Sequence, residues 1–254
     1  MTEIPMADRK AAFLALGGRW EPGWDAVMEF DPEFFDAFLA LAAVPLRNGH
    51  LSPKVKALIG LAVDLSVTRL DAEGVRNHLR TALDAGASQG EIREAMQITA
   101  GVGILSCVVG LPVLTEELRK TGRGAEVPQG DLDSRRRASK AAFERDRGYW
   151  TPFWEDILRL DPDFFDAYLR LSSVPWKTGH LEPKAKEFIY IAVDAAVTLL
   201  HEPAVRVHIR NALGHGASAA ELLELLQIVS ALGGQSLRLG VPILIDEIAR
   251  RNDG

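Results

Sequence analysis

Asp31-Pro-Glu-Phe-Phe-Asp-Ala37 places a capping carboxylate before a proline and follows the two with a pair of phenylalanines. Aspartate accepts hydrogen bonds from the free amides of a first helical turn, and proline suits the first helical position because its φ is fixed and its missing N–H is not needed there. The heptapeptide therefore opens a helix. It returns as Asp161-Pro-Asp-Phe-Phe-Asp-Ala167, 130 positions later. At the same offset, and without a gap, Trp20 and Trp24 fall on Trp150 and Trp154, Val44-Pro45 on Val174-Pro175, and Gly49-His-Leu-Ser-Pro-Lys54 on Gly179-His-Leu-Glu-Pro-Lys184. Roughly 50 identities over about 110 aligned positions make this an internal duplication. Its period is that of a domain, too long for a solenoid.

Other signals along each copy are also helical. A second helix starts near Pro53 or Pro183 and runs to Leu70 or Leu200. A third covers Ala72 to Ala85, or Pro203 to His215, and stops at Gly86 or Gly216. Ser88 with Glu91, and Ser218 with Glu221, have capping-box spacing for a fourth. No alternating strand pattern competes, so the class is all-α. Lys120 to Ser139, with four glycine or proline breaks and the run Arg135-Arg136-Arg137, reads as a connector. The expected organisation is copy one over 1–120, a linker over 121–139 and copy two over 140–254.

Composition narrows the function. The 254 residues are 47% apolar and 25% charged, and the net charge is −6, which lacks the cationic surplus of nucleic-acid binders. The single cysteine, Cys107, rules out an intrachain disulfide or a Cys-x-x-Cys pair. The N-terminal stretch has no leader pattern, so a cytoplasmic location is expected. Ala95 to Thr115 has no charged side chain, but its counterpart Leu225 to Ile245 carries Gln235 and Arg238. Both are expected to be buried helices broken near Gly103 and Gly110, with no membrane partner.

The polar residues on the third helices carry the chemistry. His208 lies on a stripe with Val205, Ile209, Ala212 and Leu213, and His78 on one with Val75, Leu79, Ala82 and Leu83, so both histidines point inward. Such a histidine is either a hydrogen-bonded core imidazole or a general acid/base in an apolar pocket. Arg206 and Arg210 flank His208 as Arg76 and Arg80 flank His78, either as surface charges or to bind a carboxylate. On the second helix Glu187, Asp194 and, if the helix persists that far, His201 share a face. Copy one has Ala57, Asp64 and Asp71 there. A buried Asp64 or Asp194 needs a partner, and the next helix's histidine is the natural one. No compact histidine spacing supports a metal site, so none is assigned.

Leu181 to Asp194, followed by Val207-His-Ile-Arg-Asn-Ala-Leu213, Gly216-Ala-Ser218, Glu221 and Gln227-Ile228, resembles the carboxymuconolactone decarboxylase family of the alkylhydroperoxidase D-like superfamily. Copy one resembles it through Leu51 to Asp64, His78 to Leu83, Gly86-Ala-Ser88, Glu91 and Gln97-Ile98. The resemblance implies two tandem alkylhydroperoxidase D-like helical domains with a pocket between helices, in a homo-oligomer for which a trimer is favoured, and the gapless duplication predicts that the two are related by pseudo-twofold symmetry. The peroxidase branch carries Cys-x-x-Cys one turn before the histidine. Asp71 and Gly74, then His201 and Ala204, stand at those positions, so thiol peroxidase activity is set aside. The family's acidic residue matches Glu187 but falls on Ala57 in copy one.

The expected activity is thus a cofactor-free carboxy-lyase acting on a small carboxylated lactone or aromatic-degradation intermediate. His208 would shuttle the proton, with Asp194 or Glu187 fixing its tautomer. Arg210 and Lys184, with His180 and His201, would bind substrate, and His78, Asp64 and Arg80 are the copy-one equivalents. A hydrolase or isomerase on the same scaffold, or a non-catalytic binding protein, are the alternatives.

Overall fold

In the computed structural model, the described residues are 6–15, 20 and 22–252, and among them there is no strand. Copy one contributes α1 (Met6–Ala15), α2 (Pro22–Phe30), α3 (Pro32–Arg47), α4 (Pro53–Leu65), α5 (Ala72–Asp84), α6 (Gln89–Gly101) and α7 (Leu105–Lys120). Copy two contributes α8 (Ser134–Arg147), α9 (Phe153–Leu160), α10 (Pro162–Thr178), α11 (Pro183–Ala195), α12 (Glu202–Gly214), α13 (Ala219–Ala231) and α14 (Gln235–Asn252). Asp31 and Asp161 accept from the backbone N–H of Phe34 and Phe164, each at 2.9 Å, and both capping boxes are complete. Gly86 and Gly216 take the left-handed conformation (φ 79° and 82°) that ends α5 and α12.

The copies interlock. α4 and α11 pack together at the centre, and the hydroxyls of Thr68 and Thr198, 130 residues apart, hydrogen-bond at 2.9 Å across the pseudo-axis. The opening helices of each copy lie on the closing helices of the other: α2 on α14, α3 on α13, α9 on α7 and α10 on α6. Trp24, Met28 and Phe35 thus pack with Val241, while Trp154, Leu158 and Phe165 pack with Ile104 and Val108. Burying a side chain of this size contributes about 1.5–3 kcal/mol, so the seam between copies is part of the core.

Two ion pairs pin that seam. Lys56 of α4 meets Glu224 of α13 at 2.6 Å, and Lys186 of α11 meets Glu94 of α6 at 3.3 Å. Glu224 also accepts from the backbone amides of His50 and Leu51, and Glu94 from those of His180 and Leu181. The lysines in turn donate to the carbonyls of Pro45 and Pro175, near the ends of α3 and α10 where helical carbonyls lack partners. A carboxylate held this way suits burial because a cation and two backbone amides face it.

Several sequence expectations need correction. α11 stops at Ala195, so His201 is not on its face and instead caps α12. A 3₁₀ turn over 102–104 separates α6 from α7, but α7 passes through Gly110 unbroken, since an interior glycine costs a helix only about 1 kcal/mol. The continuous stretches Gln89–Lys120 and Ala219–Asn252 are long and apolar enough to cross a membrane by length and composition. They are not buried within the chain: only 28% and 11% of their apolar windows are covered. Leu83 and Leu213, at the ends of their stripes, are exposed as well.

Candidate active site

Helical spacing puts Glu187, Tyr190 and Asp194 of α11 on one face, three and seven residues apart, and packs that face against α12. His208 projects from α12 into the cluster. Its Nδ1 lies 2.6 Å from Glu187 Oε2, its Nε2 3.8 Å from Asp194 Oδ2, and its ring stacks on Tyr190 with centroids 4.3 Å apart and planes 5° from parallel. Asn211 Nδ2 donates to the other Glu187 oxygen at 3.3 Å. Where Nδ1 donates to Glu187, Nε2 is the ring nitrogen left on the side of Asp194. Burial pushes the Asp194 carboxyl up to about 6, the nearby His208 opposing the rise and Glu187 adding to it. Asp194 Oδ1 is buried without a hydrogen bond, available to a bound group.

A cavity opens beside this cluster, with about 410 Å³ of empty space including its mouth. Asp194, His208 and Tyr190 form one wall. Val102, Leu105 and Val108 form another, brought by copy one, and Tyr149, Trp154 and Tyr168 come from the opening segment of copy two. The pocket therefore exists only because the copies interlock. Burial raises the Tyr149 hydroxyl to about 12 and pushes that of Tyr168 up as well, so both remain neutral donors. Arg147, at the end of α8, also lines the cavity. Burial opposes the charge on its guanidinium, but arginine is basic enough to stay protonated there, with the Tyr190 hydroxyl beside it.

Of the residues singled out from sequence, the structure gathers His208, Glu187 and Asp194 and places the others elsewhere. Lys184 pairs with Glu221 at 2.8 Å, so its charge is spent on a capping box. Arg210 is exposed and outside the cavity wall. His180 is exposed too, its ring 3.3 Å from an Arg93 nitrogen, and His201 Nδ1 accepts from the Ala204 amide at 3.3 Å as the α12 cap. Burial lowers the His201 imidazole from its ordinary range. Sequence reasoning misses Arg147. The signal that could have found it is the copy comparison, since position 17 of copy one is glycine where copy two has this arginine.

Copy one treats the same pair differently. His78 Nε2 lies 3.3 Å from Asp64 Oδ2, while Arg69 Nε sits 2.8 Å from Asp64 Oδ1 and Arg238 Nη2 2.9 Å from Asp71 Oδ2. Gly60 replaces Tyr190, and a Cβ there would fall 2.3 Å from the His78 ring. Gly74 replaces Ala204, and a Cβ there would fall 2.2 Å from Asp64 Oδ2. Small residues thus let the pair close up, Arg69 neutralises its aspartate, and Arg238 takes the neighbouring Asp71. Burial and the Arg69 guanidinium lower the His78 imidazole to about 4. Arg80 is exposed, away from this cluster.

A duplicated all-α chain with a histidine–carboxylate cluster in a pocket shared by its two halves defines a helical pocket protein with one elaborated site. More particularly, the chain belongs to the Carboxymuconolactone decarboxylase family, whose profile matches residues 32–103 and 162–240, more than half the chain. A crystal structure of a Burkholderia xenovorans LB400 protein, provisionally assigned as a gamma-carboxymuconolactone decarboxylase subunit, is 45% identical in sequence and superposes with a TM-score of 0.91. The match covers 99% of this chain and 100% of that one. No curated protein matches.

Proposed function

We propose that this protein is a decarboxylase that acts on a small carboxylated lactone, or a related aromatic-degradation intermediate, through acid–base chemistry in copy two. Family membership supports a decarboxylase-like function. The observation that carries the finer reading is the 2.6 Å contact between Glu187 and His208 Nδ1, which leaves Nε2 uncommitted in a residue that lines the cavity. In the reaction the bond from the substrate carbon to its carboxylate breaks, carbon dioxide departs, and the electron pair stays on carbon, delocalised into the adjacent carbonyl. Protonated His208 then delivers the Nε2 proton to that carbon and is reprotonated through Asp194, whose carboxyl exchanges protons near neutral pH. The apolar aromatic wall favours this step because a carboxylate loses its hydration there while neutral carbon dioxide does not need it.

The test is incubation with a carboxymuconolactone in deuterium oxide. Carbon dioxide release with one deuterium at the vacated carbon is expected. Absence of release, or release undiminished in His208→Gln, overturns the reading.

We also propose that the chain assembles with copies of itself, favouring a trimer. Supporting this are the exposed Val113 and Leu114 on α7 and Leu239, Ile243 and Ile248 on α14, more apolar surface than a soluble monomer usually leaves bare. Light scattering that returns a monomer of 27.8 kDa would end the proposal.

A further inference from the structure

The partly buried cations of this fold are nearly all neutralised. Lys56 and Lys186 meet glutamates across the seam, Arg69 and Arg238 meet the aspartates of copy one, and Lys184 meets Glu221. Arg147 differs. Its Nη1 donates to the Ser172 carbonyl at 3.1 Å and its Nη2 to the Tyr190 hydroxyl at 3.4 Å, and no carboxylate among the described residues forms an ion pair with it. Its guanidinium lies over Trp176 at 5.0 Å and Tyr190 at 5.6 Å, contacts that fix the plane of the group. A guanidinium carries five N–H donors, so several remain for an incoming anion. Low polarity around an uncompensated cation makes its attraction for a carboxylate stronger than on the surface.

The position of the cation relative to the acid–base group adds a second constraint. Tyr190 touches both: its ring stacks on His208 and its hydroxyl meets Arg147. The His208 ring is 4.3 Å and the Arg147 guanidinium 5.6 Å from the centre of the Tyr190 ring, so one small molecule can reach both. The carboxylates Glu187 and Asp194 stand at the His208 end, and none among the described residues pairs with Arg147. A substrate carboxylate at the His208 end is repelled and desolvated, whereas one at the Arg147 end is neutralised.

We propose that Arg147 anchors a carboxylate that the substrate keeps, selecting ring compounds that carry this second anionic group apart from the carbon facing His208. The assignment of the kept carboxylate rests on the acid–base reading of copy two. The anchor itself can be tested apart from it. Copy one has Gly17 at the matching position and so has no equivalent cation there.

Benzoate and benzamide serve as probes because they share a ring and differ in charge, and binding is read from tryptophan fluorescence of the full chain. The wild type is expected to bind benzoate at least about tenfold more tightly than benzamide. Arg147→Met should abolish that preference, and Arg147→Lys should keep part of it. His208→Gln should retain it, so a failure of the acid–base reading shows as unchanged carbon dioxide release in that variant, with anion preference intact. Equal binding of benzoate and benzamide by the wild type, including no binding of either, overturns the anchor, as does undiminished preference in Arg147→Met. Should the Arg147→Met chain not fold, a wild-type crystal grown with benzoate decides: its carboxylate belongs against the Arg147 guanidinium, and a carboxylate placed elsewhere refutes the proposal.

Discussion

Both halves of the chain put an aspartate on one helix against a histidine on the next, yet the two pairs have opposite surroundings. In copy two Glu187 and Tyr190 hold His208 from one side and a cavity opens on the other. In copy one alanine and glycine stand at those two positions, the histidine settles against the bare glycine, and Arg69 takes up the aspartate. On the function proposed above, the His/Asp pair alone would not make a site. Reactive capacity would come from a third group fixing the tautomer, from bulk that keeps the pair apart, and from the cavity beside His208. In copy one the same pair would then be a neutralised structural contact.

The largest expected effect follows directly. A positioned proton donor contributes about a hundredfold to ten-thousandfold to rate, so His208→Gln should lower carbon dioxide release by at least about a hundredfold. His78→Gln should leave it within a few-fold, because the proton affinity of that ring is too low for neutral pH. Initial rates on both folded variants are the measurement. Loss in His78→Gln with retention in His208→Gln would invert the comparison.

Much of this contrast is legible in the sequence. Helix starts at Asp31, Asp161, Ser88 and Ser218 depend on bonds within one turn, so local chemistry reveals them. Glu187, Asp194 and His208 stand out because helical spacing aligns the first two and because copy one lacks Glu187. Arg147 is hidden for a different reason. It ends a polar helix next to an apparent connector, and it reaches the cavity only because α9 and α10 lie on α7 and α6 of the other copy, a swap no local pattern encodes. Lys184 and Arg210 mislead because periodicity gives the face of a helix and not the partner across from it. Glu221, already engaged in a capping box, absorbs the lysine.

The framework that holds the two sites is symmetric, and this supplies the next test. Glu94 and Glu224 each receive a lysine and two backbone amides across the seam. Removing one member of such a buried pair leaves an uncompensated charge, at a cost of about 3–5 kcal/mol. Glu94→Ala and Glu224→Ala should therefore destabilise to a similar extent in urea titrations. A loss confined to one of them would show that the seam, like the sites, has diverged between the copies.

A smaller effect separates the sites without any substrate. His78 in the folded chain binds its proton only near pH 4, whereas the unfolded chain takes it up near 6.5. Between those values the unfolded state holds more protons, so the His78 contribution is full above pH 6.5 and is lost as pH falls. Asp194 works in the other direction. Folded, it keeps its proton up to about 6, and unfolded it releases it near 3.8, so across that window falling pH favours the folded state. Each shift amounts to about 3 kcal/mol at most, and in the wild type the two oppose each other. Relative to wild type, His78→Asn should gain stability as pH drops from 6.5 to about 4.5, and Asp194→Asn should lose it over the same range. Other carboxylates cancel in the difference because all three proteins share them. Urea midpoints measured every half unit across that range give the two difference curves. Slopes of the same sign, or two flat curves, would mean that burial does not govern the proton affinity of one or both groups.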